Sequence, residues 1–301
     1  MFFRSALLIG LFASTMLQAQ NIHYLALGDS ISFGLDIRRL PVPPATTPRP
    51  PASDFVGYPE VLDSPTGIPA VTSLVNLSCP GEVSASFLDV TKPDNQCHFV
   101  SPDHPGYKLA FGLHSGYLTD APGGVPQGSQ MAEAVVRLHE DSAIGLVTLT
   151  LGGGDLQLLQ ARCGLDPACV LPALPGILAA YGQNLSSILG TLRSQNGGNY
   201  TGTIMLVTVY SPDYTNTPEG QLQMTAVSAL NGVARLVALG YNVKVADGYT
   251  AFAIASRPYG GDLCKAGLLV RTSATTCDVH PSLAGQTLLA KTVMDRYKFI
   301  K

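Results

Sequence analysis

The chain has 301 residues, 46% of them hydrophobic and only 13% charged, with a formal net charge of -3. That composition excludes a disordered tail protein and allows a sizeable core, in one large domain or two small ones. Its scattered Lys and Arg residues offer no cluster to grip nucleic acid and no polybasic patch for a membrane surface.

In chain order, Met1-Phe2-Phe3-Arg4 leads into an apolar run over residues 5–17, and Leu17-Gln18-Ala19 offers a small-residue cleavage site. Residues 1–19 therefore read as a secretory signal peptide. The apolar run falls short of the roughly 20 residues needed to cross a bilayer. Residues 20–301 are then a mature domain without an integral membrane segment, secreted to an extracellular or periplasmic space.

Five short aliphatic runs follow, at 23–27, 71–77, 145–151, 203–209 and 242–246. They lack polar alternation, as strands covered on both faces do. Helical patterns separate or follow them at 129–140, 171–193, 219–239 and 282–297. This alternation predicts right-handed crossovers and a three-layer α/β/α domain around a mainly parallel five-stranded sheet of flavodoxin-like type. No repeat or composition shift divides the domain.

Residues 38–53 form a Pro-rich insertion holding Pro41, Pro43, Pro44, Pro48, Pro50 and Pro51, which cannot be regular helix. It reads as an extended surface insertion or as a lid on the adjoining turn. A second loop-rich excursion spans 91–128. Six cysteines fall as local pairs, Cys79–Cys97, Cys163–Cys169 and Cys264–Cys277. Local pairing is the simplest framework for an exported chain, although spacing alone leaves other connectivities open. No ligand spacing for a metal is present, so no metal is expected, and His23, His98, His104, His114 and His139 read as surface or structural.

Four segments suggest chemistry. The strand-like run Tyr24-Leu25-Ala26-Leu27 ends abruptly in Gly28-Asp29-Ser30, placing a serine at the carboxyl end of a strand. Gly81 follows the second strand, and Gly152-Gly153-Gly154-Asp155 follows the third. Cys277-Asp278-Val279-His280-Pro281 precedes the last helix. Serine needs a nearby base, itself oriented by a third group, to act as a nucleophile.

The order and flanking residues of these four segments resemble the GDSL, or SGNH, serine hydrolase family. The resemblance implies a nucleophile at Ser30, its base at His280, and an oxyanion hole from the backbone of Ser30, Gly81 and Gly154. It also implies a carboxylic ester hydrolase, an esterase or lipase, that forms a serine acyl-enzyme. Such an enzyme needs no cofactor and takes a small-molecule or lipid-like ester, and this one is expected to act as a monomer.

Two departures stand out. The family's Asp-x-x-His has Cys277 in its acid position, leaving Asp278 as the candidate acid. The family's oxyanion asparagine is replaced by Gly154, which removes one donor typically worth about 3 kcal/mol. Replacing Gly154 by asparagine is therefore expected to raise turnover, unless another backbone N–H or side chain fills the gap. Asp155 is expected to cap the helix start at Leu156, and Ser30 itself could serve as a helix N-cap. The alternative function is a catalytically weak or inactive secreted binding protein on the same fold. A Rossmann cofactor enzyme lacks its Gly-x-Gly-x-x-Gly after the first strand.

Overall fold

The computed structural model describes residues 21–40, 50–98, 100–101, 105–120, 128–195 and 200–298. Residues 1–19, expected to be a signal peptide, residues 41–49 of the Pro-rich insertion, and His104 lie outside the described residues.

The first strand, β1 (Ile22–Gly28), leads through Asp29 into a single-turn helix, α1 (Ser30–Phe33). Then come α2 (Tyr58–Asp63), β2 (Val71–Asn76), α3 (Ser84–Leu88), α4 (Gly106–Phe111) and α5 (Gln130–Glu140). The next stretch holds β3 (Ile144–Thr150), α6 (Gly153–Cys163), α7 (Pro167–Arg193), β4 (Thr203–Val207) and α8 (Pro218–Gly240). The last comprises β5 (Lys244–Ala246), α9 (Gly248–Ser256), β6 (Leu269–Arg271), β7 (Cys277–Pro281) and α10 (Leu283–Lys298).

All five strands of the central sheet are parallel, in the order β2-β1-β3-β4-β5. Tyr24, Leu25, Ala26 and Leu27 are fully buried, as are Leu146, Val147 and Leu149. Helices cover both faces, which explains the absence of polar alternation in these runs. On one face lie α2, α9 and α10, and on the other α3, α5, α6, α7 and α8. The strand order reverses direction between β1 and β3, and in open α/β sheets the crevice beyond the strand ends at such a reversal is where ligands bind. Ser30 follows β1 and the triple glycine follows β3, so the topology brings both to that crevice.

Each predicted strand lies within two residues of an observed one. Four helices, α2, α3, α4 and α9, and a hairpin were not predicted. The antiparallel pair β6 and β7 places His280 on a strand, with Ser282 leading into α10. By length and composition α8 is apolar enough to cross a membrane. In the fold it flanks the sheet, with Leu222, Ala226, Val227, Leu230, Ala234 and Ala238 buried. All three local disulfides are closed, with Cα–Cα separations of 5.7, 5.5 and 5.6 Å, inside the range such bridges span.

Candidate active site

Asp29 adopts an extended backbone, and its Oδ1 accepts the Ile31 N–H at 2.9 Å. Asp29 is therefore the N-cap of α1 and Ser30 is its first helical residue, so the expectation that Ser30 caps this helix is corrected. The cap leaves the Ser30 hydroxyl free. Its Oγ lies 2.8 Å from His280 Nε2, a hydrogen bond between residues 250 apart in sequence. On the other side of the ring, His280 Nδ1 hydrogen-bonds Asp278 Oδ2.

The departure from the Asp-x-x-His spacing follows from β7 being a strand. Side chains two apart in a strand share a face, so Asp278 lies beside the His280 ring, while Cys277 and Val279 face the other way. Cys277, beside the turn of the hairpin, spends its sulfur on Cys264 and tethers that end. Tyr210 fixes the middle, its phenol donating to the Val279 carbonyl. Burial pushes the Asp278 carboxyl up, but the hydrogen bond and charge of His280 outweigh it, with help from the Val279 and His280 N–H groups. The net pKa lies below the ordinary aspartate value.

The opposite wall comes from the other two segments. Gly81 has φ +90°, and a Cβ there would lie 2.0 Å from the Asn95 carbonyl oxygen, so no side chain fits. The first N–H groups of α6, Gly154 among them, have no intrahelical acceptor and sit at the positive end of the helix dipole. Ser30, Gly81, Gly153, Gly154 and His280 line one cleft that is partly open to solvent.

The structure corrects the expectation for Gly154. A Cβ at this position would lie 2.5 Å from the Glu82 carbonyl oxygen and 2.9 Å from Val83 Cγ1. An asparagine cannot enter unless the 81–83 segment moves. The neighbouring space already holds an amide, that of Asn95, whose Nδ2 donates to the Gly154 carbonyl at 2.9 Å. The Asn95 backbone N–H donates to the Gly81 carbonyl at 2.8 Å. Asn95 thus grips both halves of the wall, and sequence reasoning missed it.

The geometry is similar to that of solved structures. Phospholipase A1 from Streptomyces albidoflavus superposes with a TM-score of 0.57 at 18% identity, covering 92% of this chain and 99% of that one. An extracellular lipase from Streptomyces rimosus gives 0.56 at 16% identity, covering 91% and 99%. A structure described as a GDSL-like lipase, from Parabacteroides merdae, gives 0.54 at 12% identity, covering 93% and 96%. The chain has the GDSL, or SGNH, hydrolase fold. No protein-family model matches the sequence, and no curated protein does.

Within this SGNH-type fold, several expectations need correction. Asp155 does not cap its own helix. It lies in the first turn of α6, and its carboxylate accepts the Ser84 N–H at 3.0 Å and the Ser84 hydroxyl at 2.5 Å, joining α6 to the start of α3. Three histidines have partners: His23 Nδ1 is 2.6 Å from Asp141, His114 Nε2 is 2.9 Å from the Phe33 carbonyl, and buried His98 is 3.1 Å from Glu82. Glu82, Cys97 and His98 come together, but Cys97 is bonded to Cys79 and offers no thiolate. Glu82 instead accepts from Ser86 and from Gln130 Nε2, and Gln130 also bonds both backbone groups of Gly28. That buried network links the end of β1 to the residue after Gly81.

Asp29 is almost wholly buried at 3% exposure. Desolvation raises its carboxyl from 3.8 to about 7, against the lowering effects of the Ile31 N–H and of His280.

Proposed function

We propose that this protein is a secreted serine esterase or lipase that hydrolyses carboxylic esters through an acyl-enzyme. The single observation carrying this reading is the chain of contacts from Ser30 Oγ to His280 Nε2 at 2.8 Å and from His280 Nδ1 to Asp278.

In this reading His280 Nε2 takes the Ser30 proton as Oγ attacks the ester carbonyl carbon. Asp278, held as a carboxylate, keeps the proton on Nδ1 and stabilises the imidazolium. The carbonyl oxygen gains negative charge, which the N–H groups of Ser30, Gly81 and the first turn of α6 receive. His280 returns its proton to the leaving alcohol as the ester C–O bond breaks. Water then attacks the Ser30 ester with His280 again as base, and the acid leaves.

Gly154 enters this scheme through its backbone, with Asn95 holding that backbone in place. The inactive-binding-protein alternative keeps the missing side-chain donor at Gly154 as its argument, and the contacts linking Ser30, His280 and Asp278 count against it. Export is part of the same proposal, and three closed disulfides support an oxidising compartment.

The test is hydrolysis of p-nitrophenyl esters by the wild type and by Ser30→Ala. The wild type should turn over, and Ser30→Ala should lose about 10³-fold or more in kcat. Equal rates for the two proteins would overturn the assignment.

A further inference from the structure

We infer that the cleft beside Ser30 is an acyl-chain pocket, and that the substrates are esters of medium- to long-chain fatty acids rather than acetyl esters. The inference rests on the esterase reading and names its substrate class.

Past the Ser30 rim, the cleft runs between three helices. Leu156 and Leu159 from α6, Val170 from α7, and Leu222, Ala226 and Val227 from α8 line it. Leu159, Val170, Leu222 and Ala226, with Leu174, make a small apolar cluster separate from the main core. This separate cluster borders the open cleft and leaves apolar surface there for a ligand to cover. An acetyl group fills only the mouth of such a space, whereas an alkyl chain can follow it inwards.

The same wall disfavours the other acyl-transfer substrates. Among the described residues no Lys or Arg lines the cleft, so neither is placed there to take an acidic group. Of the acids, the Glu82 side chain points into its network with His98 and Gln130. Gln157, Gln160 and Gln223 are uncharged. Among the described residues Tyr210 is the one phenylalanine, tyrosine or tryptophan of the wall, and it cannot serve as a sugar platform. It is 3% exposed, stacks on Phe252 at 4.2 Å between centroids, and commits its hydroxyl to Val279. At the rim, Leu165 and Val279 expose 36% and 37% of their surface, extending the apolar lining outwards.

The test combines turnover and binding. On p-nitrophenyl esters from acetate to palmitate, kcat/KM should rise with chain length, by up to roughly fourfold per added methylene before levelling. The decanoate ester should exceed the acetate ester by at least about tenfold. A maximum at acetate or butyrate overturns the inference. Ala226→Phe should collapse the decanoate-to-acetate ratio by about tenfold or more. Ala226→Leu serves as the smaller intrusion if the phenylalanine variant does not fold. An unchanged ratio in a folded variant places the chain elsewhere and also overturns it.

Sodium decanoate should bind Ser30→Ala in calorimetry with a negative heat-capacity change, the sign of apolar burial. This arm separates the two proposals. Decanoate binding without wild-type turnover sinks the esterase reading and keeps the pocket. Turnover confined to acetate, with no decanoate binding, does the reverse.

Discussion

Asn95 donates its side-chain amide to the Gly154 carbonyl at 2.9 Å, across 59 residues of sequence. Asn95 thereby holds the Gly154–Asp155 peptide, and through its own N–H the Gly81–Glu82 peptide, from a position that does not itself line the cleft. Each of these planar units shares an α-carbon with the unit that carries the Gly154 or Gly81 N–H, so fixing one restrains the direction of the other.

Asn95→Ala should lower kcat by roughly five- to thirtyfold, the equivalent of about 1–2 kcal/mol for one lost buried hydrogen bond, with KM nearly unchanged. Asn95→Asp should do no better, since a carboxylate cannot donate to a carbonyl. Steady-state kinetics on one activated ester, with circular dichroism to verify folding, decides the point. A drop in KM-dependent binding alone, at constant kcat, would count against a positioning role.

Gly154→Ala tests the close approach to Glu82. The added methyl lies 2.5 Å from a backbone oxygen, which has no flexible tip to swing aside. Overpacking of this kind typically costs about 1–3 kcal/mol. Urea denaturation should show a lower midpoint at unchanged m-value, whereas an undiminished midpoint would mean the 81–83 segment yields freely.

Asp29 predicts a pH signature in stability. Its carboxyl titrates near 3.8 unfolded and near 7 folded, so between these values the unfolded chain releases a proton that the folded one keeps. Ionisation therefore favours the unfolded state, and this group's cost grows from about pH 4 to about pH 7 and levels above, reaching at most on the order of 4 kcal/mol. Asn in its place can still cap Ile31 but does not ionise. The stability of Asp29→Asn relative to wild type should rise across that window in denaturant titrations at pH 4.5, 6 and 7.5. A difference that falls with pH contradicts the burial argument.

The sheet was legible because strands covered on both faces must be continuous apolar runs, and each ends at a glycine or turn residue. β1 and β3 thereby gave away Ser30 and the triple glycine. α6 was expected from Leu156, and its first turn, from Gly153, was hidden by that same triple glycine, since glycine is a poor helix former. β7 was hidden by being short and ending in Pro281, and with it the reason that an acid two residues before His280 suffices. Asn95 had no local signal at all. It sits in a loop whose ends are the bridged Cys79 region and Cys97, and only the folded chain sets it against Gly154.

The hydrogen bond between Ser30 and His280 closes nearly the whole length of the chain. During synthesis the serine emerges 250 residues ahead of its partner. A nascent or truncated chain therefore carries a hydroxyl with no base to activate it. Even a full-length chain must still dock the β6–β7 hairpin, which Cys264–Cys277 and Tyr210 hold in place. The Ser30–His280 pair thus cannot form before His280 has been made and the hairpin has docked.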